Sequence, residues 1–332
     1  MEPEFEKINK LIGNTPIIEI KYRFQGKESI IYTKYECYNF TGSIKDRMAF
    51  YILKEAFKQG ELKKGDTIVE ATSGNTGISL SAIGSAIGCE VIIIMPDWMS
   101  LERKQIIESY GAKVITVSKE EGGFLRSVEL SKEMAENNPK VFLPCQFSNI
   151  NNVKAHQATG TELYEQMQTR GLTPDAFVAG VGTGGTVIGV GKTLRSFNPN
   201  VKIHPLEPAE SPTLSTGYKT GSHRIQGISD EFIPDIMKMG EYDEIIQASD
   251  GDAIIMAQKL AKTLGFGVGI SSGANFVGAI KLQQKYGKDS VVTTVFPDCN
   301  KKYLSTNLME QEPVKAEYLA PEVELVNFEI TV

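Results

Sequence analysis

The sequence has 332 residues, with 35 lysines and arginines against 41 aspartates and glutamates, and 41% of its residues are hydrophobic. A chain of this size can bury a substantial core, and its net charge of -6 argues against nucleic acid or an anionic membrane surface as the main partner. Because no apolar run is long enough to span a bilayer, we expect a cytoplasmic protein whose ligands are small molecules.

Cysteines and histidines limit the chemistry that the chain can perform. The four cysteines are widely spaced, without a CxxC pair: Cys37, Cys89, Cys145 and Cys299. This spacing predicts reduced, buried thiols, and it suggests neither a disulfide framework nor a zinc site. The three histidines, His156, His204 and His223, offer little for a metal centre or a Ser-His-Asp triad. We therefore expect no bound metal.

Short runs rich in β-branched residues alternate with longer segments of helical periodicity. The runs predict strands at 67–69, 90–95, 113–117, 176–181, 202–206 and 291–296. The segments between them predict helices at 47–59, 76–88, 101–110, 155–168, 187–196 and 252–264. This alternation indicates an α/β fold, with helices on both faces of mainly parallel sheets. Near the end of the chain, alternating apolar residues at 323–330 predict an edge strand or a dimer contact.

Three glycine-punctuated loops lie where a predicted strand passes into a helix, a place where backbone amides and the helix dipole favour an anion. The first loop, residues 72–77, carries hydroxyl and amide side chains that suit a carboxylate. The second loop, residues 182–186, suits a phosphate, although no lysine follows it in the Walker position. The third loop, residues 269–274, opens another helix. Any one of them is also typical of an ordinary helix cap, but three together favour a binding site.

A nucleotide-binding dehydrogenase is an alternative interpretation of the second loop. Residues 180–185 match the pattern GxGxxG, and Glu207 follows at about the distance of a ribose-binding acid. That alternative gives no role to the other two loops or to Lys45, which lies in a small-residue turn before a helix. A lysine in a water-poor site loses its proton readily and can form an imine with an aldehyde cofactor, although most lysines near a helix start are solvated.

Several motifs together resemble the cysteine synthase (O-acetylserine sulfhydrylase) family in their identity and order. They are Leu11-Ile12-Gly13-Asn14-Thr15-Pro16, Thr41-Gly42-Ser43-Ile44-Lys45-Asp46-Arg47, Thr72-Ser73-Gly74-Asn75-Thr76-Gly77, Gln146-Phe147-Ser148-Asn149, the second and third loops, and Tyr303-Leu304-Ser305-Thr306. The resemblance runs from about residue 8 to 306. It places the sequence among the fold type II enzymes that use pyridoxal 5′-phosphate (PLP), to which cystathionine β-synthase also belongs.

The resemblance implies a tryptophan-synthase-β-like fold of two three-layer α/β/α domains with mainly parallel sheets. A smaller, mobile substrate-binding domain is expected at residues 46–154. A larger cofactor-binding domain is expected to combine residues 1–45 with 155–310, and residues 311–332 form a C-terminal extension. Relatives are usually homodimers, so we expect a homodimer here.

The resemblance also implies roles for individual residues. PLP is the expected cofactor, with Lys45 as its Schiff-base lysine and proton carrier. Asn75 is expected to contact the phenolic oxygen of PLP, and Ser271 its pyridine nitrogen. The cofactor phosphate is assigned to Gly182, Thr183, Gly184, Gly185 and Thr186, and the substrate carboxylate to Thr72, Ser73, Asn75, Thr76 and Gln146. A neutral serine at the pyridine nitrogen makes the ring a weaker electron sink, which favours expulsion of a β-substituent.

The implied reaction is β-replacement on cysteine, serine or O-acetylserine through an α-aminoacrylate. The sequence departs from typical cysteine synthases after Gly227-Ile228, where Ser229-Asp230-Glu231 replaces small residues. An acid at the active-site mouth repels partly anionic sulfide and can deprotonate water. We therefore favour conversion of L-cysteine and water into L-serine and hydrogen sulfide. Asp230 is the preferred catalytic base over Glu231, because it lies nearer to Gly227-Ile228.

Two other functions remain open at this stage. If both acids face solvent, the enzyme is a cysteine synthase that makes L-cysteine from O-acetylserine and sulfide. A catalytically weak PLP-binding regulatory subunit is the other alternative, although an intact Lys45 and three intact loops speak against it. His156 is interpreted as a contact near the cofactor, and Cys299 as a structural residue.

Overall fold

A computed structural model describes residues 3–72, 74–229 and 231–332 of the chain. In chain order the elements are α1 (Pro3–Asn9), β1 (Ile17–Phe24), β2 (Lys27–Tyr35), α2 (Lys45–Gln59), β3 (Thr67–Ala71), α3 (Asn75–Ala86), β4 (Glu90–Pro96), α4 (Leu101–Ser109), β5 (Lys113–Val117), α5 (Gly123–Asn137), β6 (Val141–Phe142), α6 (Ile150–Thr169), β7 (Ala176–Gly180), α7 (Gly185–Phe197), β8 (Lys202–Pro208), α8 (Thr213–Thr216), β9 (Ile246–Ala248), α9 (Asp250–Leu264), α10 (Ile270–Tyr286), β10 (Val292–Phe296) and β11 (Glu324–Thr331). Among the described residues, no helix has the length and apolar character needed to cross a bilayer.

The strands form two sheets. The smaller sheet has the order β5-β4-β3-β6, and all its neighbours are parallel. The larger sheet has the order β11-β1-β2-β10-β7-β8-β9; it is parallel from β2 to β9 and antiparallel where β1 pairs with β2 and β11. The predicted α/β class with mainly parallel sheets is confirmed. The predicted domain limits stay a prediction, with the whole smaller sheet lying between residues 46 and 154.

Helices cover both faces of each sheet, as the apolar strand sequences require. In the smaller sheet, Ile68 packs into a core with residues of α2 and α3, whereas the next residue, Val69, packs on the opposite face with residues of α5. In the larger sheet, Val178 packs toward α9 and α10, while Phe177 packs toward α6 and α7. Successive strand residues thus point into different cores, which produces two three-layer units.

The predicted elements are present, with differences mainly at their ends. Helix α6 begins at Ile150, five residues earlier than expected, because the Asn149 side chain caps it by accepting from the Asn151 amide at 2.9 Å. The sequence analysis did not predict α1, α5, α8, β1, β2, β6 or β9. The edge strand expected at residues 323–330 is present as β11, which pairs with β1 in register Ile18 to Ile330, and the dimer contact stays a prediction.

Candidate active site

A cavity lies between the two sheets, where the carboxyl ends of β3 and β7 meet the first turns of four helices. Parallel α/β sheets commonly bind ligands in such a crevice. Among the predicted site residues, those lining the cavity are Lys45, Thr72, Asn75, Thr76, Gln146, Gly182, Thr183, Thr186 and Ser271. Gly184 and Gly185 do not line it but belong to the second loop. Ser73 and Asp230 lie outside the described residues.

Lys45 is the first residue of α2, and its turn is fixed on both sides. The hydroxyl and amide of Thr41 donate to the Asp46 carboxylate at 2.6 and 2.7 Å. The Ile44 amide donates to the Pro297 carbonyl at 2.8 Å, which ties the turn to the end of β10. Because Asp46 is fully buried, these bonds hold the backbone while the half-buried Lys45 side chain faces the cavity.

A buried ion network supports the same turn from below. The Arg47 guanidinium donates to both oxygens of Glu36 at 2.6 and 2.9 Å, and to both oxygens of Glu162 at 2.8 and 2.7 Å. Lys34, which is fully buried, pairs with Glu162 at 2.9 Å. Although burial opposes ionisation, the hydrogen bonds and charges of Arg47 and Lys34 lower the pKa of Glu162 to about 2. The network is therefore ionised at neutral pH and makes the base of the site rigid.

The first loop joins β3 to α3 and presents hydroxyl and amide groups to the cavity. The Thr76 hydroxyl donates to Gln146 Oε1 at 2.7 Å, while Gln146 Nε2 donates to the Ala71 carbonyl at 2.8 Å. The backbone amide of Gln146 donates in turn to the buried Glu70 at 3.2 Å. Burial raises the pKa of Glu70 to about 8. These bonds hold neutral donors at the N-terminus of α3, an arrangement that suits a carboxylate.

Asn75, at the start of α3, is oriented by an acid that the sequence analysis did not single out. Its Nδ2 donates to Asp298 Oδ2 at 2.7 Å, and the Tyr303 hydroxyl donates to the same oxygen at 2.8 Å. Asp298 is fully buried. Because a carboxylate only accepts hydrogen bonds, Asp298 holds the Nδ2 donor of Asn75 toward itself and thereby fixes the orientation of the Asn75 amide. Asn75 Oδ1 is buried without a partner among the described atoms.

The second loop forms a compact concave turn before α7. Gly184 has a φ of 86°, a left-handed conformation that glycine adopts without strain. A Cβ on Gly182 would lie 2.5 Å from the Gly227 carbonyl oxygen, so only glycine allows this close approach. Asn152 donates to Thr183 Oγ1 at 2.9 Å and to the Gln146 carbonyl at 2.9 Å. With the amides at the α7 terminus, the loop forms a cradle for a phosphate.

His156 lies behind the second loop, in α6. Its Nε2 is 3.4 Å from Thr186 Oγ1, and its Nδ1 is 3.2 Å from Thr159 Oγ1. Burial, and then the positive charges of Lys45 and Arg47, hold the pKa of His156 well below its ordinary value. The imidazole is therefore neutral and contacts the Thr186 hydroxyl, and its interpretation as a contact near the cofactor stays a prediction.

The residues present fit a PLP molecule. The third loop is the first turn of α10; Ser271 lines the cavity there, and the neighbouring Ser272 Oγ is buried without a partner among the described atoms. Together with the unpartnered Asn75 Oδ1, the cavity thus offers a lysine amine, a phosphate cradle and polar atoms for a heteroaromatic ring. A ring held at these three points would be fixed in orientation.

The dehydrogenase alternative is wrong. Glu207, its expected ribose-binding acid, is fully buried and already accepts hydrogen bonds from the Leu214 and Ser215 amides and from the Ser215 hydroxyl. Its carboxylate therefore caps the short helix α8.

The prediction of buried thiols is also only partly correct: the cysteines are free, but Cys145 is exposed, and Cys37 and Cys299 are half-buried.

Two further lining residues escaped the sequence analysis. Arg103, in α4, is only 1% exposed, stacks at 4.5 Å on the Tyr303 ring and hydrogen-bonds Gln226. Arg103 and Gln226 are 123 residues apart in the sequence. An arginine in an otherwise ordinary surface-type helix carries no local signal that it will close over a cavity.

Residues 224–231 are here named the mouth loop; its described residues, 224–229 and 231, lie at the mouth of the cavity. Gln226, Gly227 and Ile228 line the cavity itself. Glu231 is half-buried and pairs with Lys219 at 2.7 Å, on the outer side of the loop. Ser229 has a left-handed φ of 55°, which is uncommon for a residue with a side chain. The predicted base, Asp230, lies between these last two residues and outside the described part of the chain.

Comparison with known proteins agrees with this site. The model of the pyridoxal-phosphate dependent enzyme family matches residues 8–298. A cysteine synthase of Staphylococcus aureus is 40% identical over 304 residues, covering 91% of this chain and 96% of the relative. The crystal structure of a hydrogen sulfide-producing enzyme from Fusobacterium nucleatum is 56% identical, covers 100% of both chains and superposes with a TM-score of 0.97.

A second solved structure is an aspartate-to-asparagine variant of that hydrogen sulfide-producing enzyme, in complex with an α-aminoacrylate intermediate. It is 57% identical, covers 98% of both chains and has a TM-score of 0.96. Fold and site thus define a PLP-dependent enzyme of β-elimination and β-replacement, of the fold type II class. The chain belongs to the pyridoxal-phosphate dependent enzyme family and, within it, to the cysteine synthase group.

Proposed function

We propose that this enzyme converts L-cysteine and water into L-serine and hydrogen sulfide in the cytoplasm. The observation that carries the proposal is the acidic sequence of the mouth loop, whose neighbouring residues Gln226, Gly227 and Ile228 line the cavity. Negative charge there disfavours anionic sulfide as the incoming nucleophile and favours activation of neutral water. The free thiols of the chain fit a reducing compartment.

Asp230 is the proposed base, and Glu231 is not. Glu231 pairs with Lys219 at 2.7 Å and is not among the residues that line the cavity. Asp230 directly follows Ser229, whose amide donates to the Val181 carbonyl at 2.8 Å beside the second loop.

The other assigned residues divide the work of the reaction. PLP, when bound, supplies the electron sink that makes the α-proton of the amino acid acidic. Thr72, Asn75, Thr76 and Gln146 hold the substrate carboxylate, with Ser73 as a further member of the first loop. Lys45 attaches the cofactor and carries the α-proton on Nζ. The second loop holds the phosphate, and Ser271 faces the pyridine nitrogen.

The reaction exchanges the sulfur on Cβ for the oxygen of one water. Lys45 removes the α-proton, the Cβ–S bond breaks, and hydrosulfide leaves. Water then adds its oxygen to Cβ and gives one proton to Asp230, which releases it to solvent, where the hydrosulfide set free earlier takes up a proton to form hydrogen sulfide. Lys45 returns the α-proton, so that one water is consumed and serine is formed.

Relatives support this direction. The hydrogen sulfide-producing enzyme of Fusobacterium nucleatum shares 56% of its residues with this chain over the full length of both. Its aspartate-to-asparagine variant was crystallised with a reaction intermediate, as expected if an acid takes part in consuming that intermediate. The relatives named cysteine synthase favour a second candidate, synthesis of L-cysteine from O-acetylserine and sulfide.

Product analysis of matched variants tests the proposal. Purified wild type, Asp230→Asn and Glu231→Gln are each supplied with L-cysteine alone, and separately with O-acetylserine and sulfide. We expect serine and sulfide from cysteine, with the rate lowered about 100-fold or more by Asp230→Asn, the usual range for a general base, and nearly unchanged by Glu231→Gln. Efficient cysteine synthesis together with unchanged sulfide release in Asp230→Asn would instead identify a cysteine synthase.

We also infer that the enzyme is a homodimer. On the edge strand β11, Val326, Phe328 and Ile330 are exposed along one face, and the Phe328 ring packs at 4.7 Å against Phe266. An apolar row on a sheet edge is commonly covered by a second chain. Light scattering should give twice the chain mass, and Phe328→Glu should shift the mass toward that of one chain.

A further inference from the structure

The mouth loop adopts a conformation that needs support from its surroundings. Gly227 and Ser229 both have left-handed backbone angles, with φ of 92° and 55°. For serine this conformation is unfavourable, so it persists only where other contacts impose it. Ser229 Oγ donates to the Ser211 carbonyl at 3.1 Å, and the His223 ring lies 3.1 Å from the Ser229 carbonyl. These contacts hold the far end of the described loop.

Arg224 holds the near end through a two-sided clasp. Its Nε and Nη2 donate to Asp250, at the start of α9, at 3.0 and 2.7 Å, and its backbone amide donates to the same carboxylate at 3.0 Å. On the other side, Nη1 and Nη2 donate to the two oxygens of Glu312 at 2.6 and 2.7 Å. The side chains of Asp250 and Glu312 are only 9% and 7% exposed, so both acids are largely shielded from water, whereas Arg224 between them is 35% exposed.

Glu312 belongs to residues 311–332, here named the C-terminal segment. This segment is anchored to the rest of the chain. Lys259 in α9 donates to the carbonyls of Ala320 and Val323 at 2.8 and 2.5 Å. Asp252 accepts from the amides of Leu319 and Ala320 at 3.0 and 2.7 Å. Strand β11 then pairs along β1. Glu312 therefore belongs to a segment that is tied to α9 and β1, and it lies beyond residue 298, where the match to the family model ends.

We propose that Glu312 is a positioning residue for the mouth loop, acting through Arg224. Arg224 is two residues from Gln226, which lines the cavity, and six from Asp230. A bidentate carboxylate–guanidinium pair fixes orientation as well as position. The C-terminal segment thereby holds the described part of the mouth loop, and through it affects how fast water adds to the substrate. This role rests on the proposed function of Asp230 as the base.

The test compares Glu312→Gln with Glu324→Gln. Glu324 lies in the same C-terminal segment and also pairs with an arginine, Arg23, but its side chain is 60% exposed and the pair is remote from the loop. Stopped-flow absorbance of the cofactor follows two steps separately: sulfide loss and water addition. Amide hydrogen exchange at residues 225–229 reports on the loop directly.

For Glu312→Gln we expect water addition to slow about tenfold, equivalent to about 1.4 kcal/mol, with faster exchange at 225–229. Sulfide loss and the KM for cysteine should stay within about twofold, because the cofactor and carboxylate contacts are untouched. Glu324→Gln should behave as wild type. Equal rates and equal exchange in the two variants would overturn the proposal, and so would an equal slowing of both steps by Glu312→Gln, which indicates a general loss of structure.

Asp230→Asn in the same assays separates this inference from the function on which it rests. Slow water addition in Asp230→Asn, together with a normal rate of water addition and normal loop exchange in Glu312→Gln, would reject the positioning role of Glu312 and keep Asp230 as the base. Normal water addition in Asp230→Asn, with faster loop exchange in Glu312→Gln, rejects the base, while the clasp keeps its role in holding the loop.

Discussion

Replacing Gly185 by alanine should weaken cofactor binding, because the second loop has no room for a methyl group at this position. A Cβ on Gly185 would lie 1.9 Å from Asn152 Oδ1 and 2.5 Å from its Cγ. Asn152 is fully buried and cannot retreat without losing its hydrogen bonds to Thr183 and to the Gln146 carbonyl, each 2.9 Å long. The clash therefore disturbs the phosphate cradle and the residue that holds the substrate carboxylate.

The size of the effect follows from these contacts. Overpacking costs about 1–3 kcal/mol, and each lost hydrogen bond costs about 1 kcal/mol, for a total of about 3–5 kcal/mol. If about 3 kcal/mol of this falls on the bound state, the dissociation constant of PLP rises by roughly 100-fold. Titration of the apoprotein with PLP, followed by absorbance, measures that dissociation constant. Thermal unfolding of the apoprotein measures the part of the free-energy cost that falls on folding stability.

A double-mutant cycle checks the physical cause. Asn152→Ala removes the amide that the new methyl group would strike, together with both of its hydrogen bonds. Adding Gly185→Ala to Asn152→Ala should then weaken PLP binding by much less than Gly185→Ala does in the wild-type background. Wild-type PLP affinity in the single variant Gly185→Ala, or fully additive losses in the double variant, would refute the reasoning.

Two further predictions concern buried acids near the site. Burial raises the pKa of Glu70 from 4.5 to about 8, so on raising the pH the unfolded chain loses this proton before the folded chain does. The contribution of Glu70 to folding stability therefore falls as the pH rises from about 4.5 to about 8, by an amount on the order of 5 kcal/mol. Relative to wild type, Glu70→Gln should therefore gain stability between pH 5 and 8 in urea unfolding, and a constant difference would contradict this origin. Asp298→Asn should release the Asn75 amide and change the absorption spectrum of the bound cofactor. The control Glu207→Gln, remote from that amide, should leave the spectrum unchanged. Identical spectra for wild type and both variants would exclude an orienting role for Asp298.

The sequence was informative wherever a feature depends on neighbouring residues. Glycine and hydroxyl residues directly after an apolar run predicted the first and second loops, because parallel strands place such turns at one edge of a sheet. The family motifs singled out Lys45, and it lies with both loops around one cavity. Two strands were missed for different reasons: β1 alternates apolar and charged residues from Ile18 to Phe24, a strand period that the sequence analysis did not use, whereas β2 has no such alternation.

The sequence by itself determined the class of fold, the family, the cofactor loops and the acidic mouth loop, since each is written in a short contiguous stretch. Only the tertiary structure decided which charges meet. Arg47 finds Glu162 at a separation of 115 residues, and Arg224 finds Glu312 at a separation of 88. Charged side chains are common, and nothing local marks their partners; burial selects them, because a charge removed from water requires a partner that only the folded chain can bring within reach.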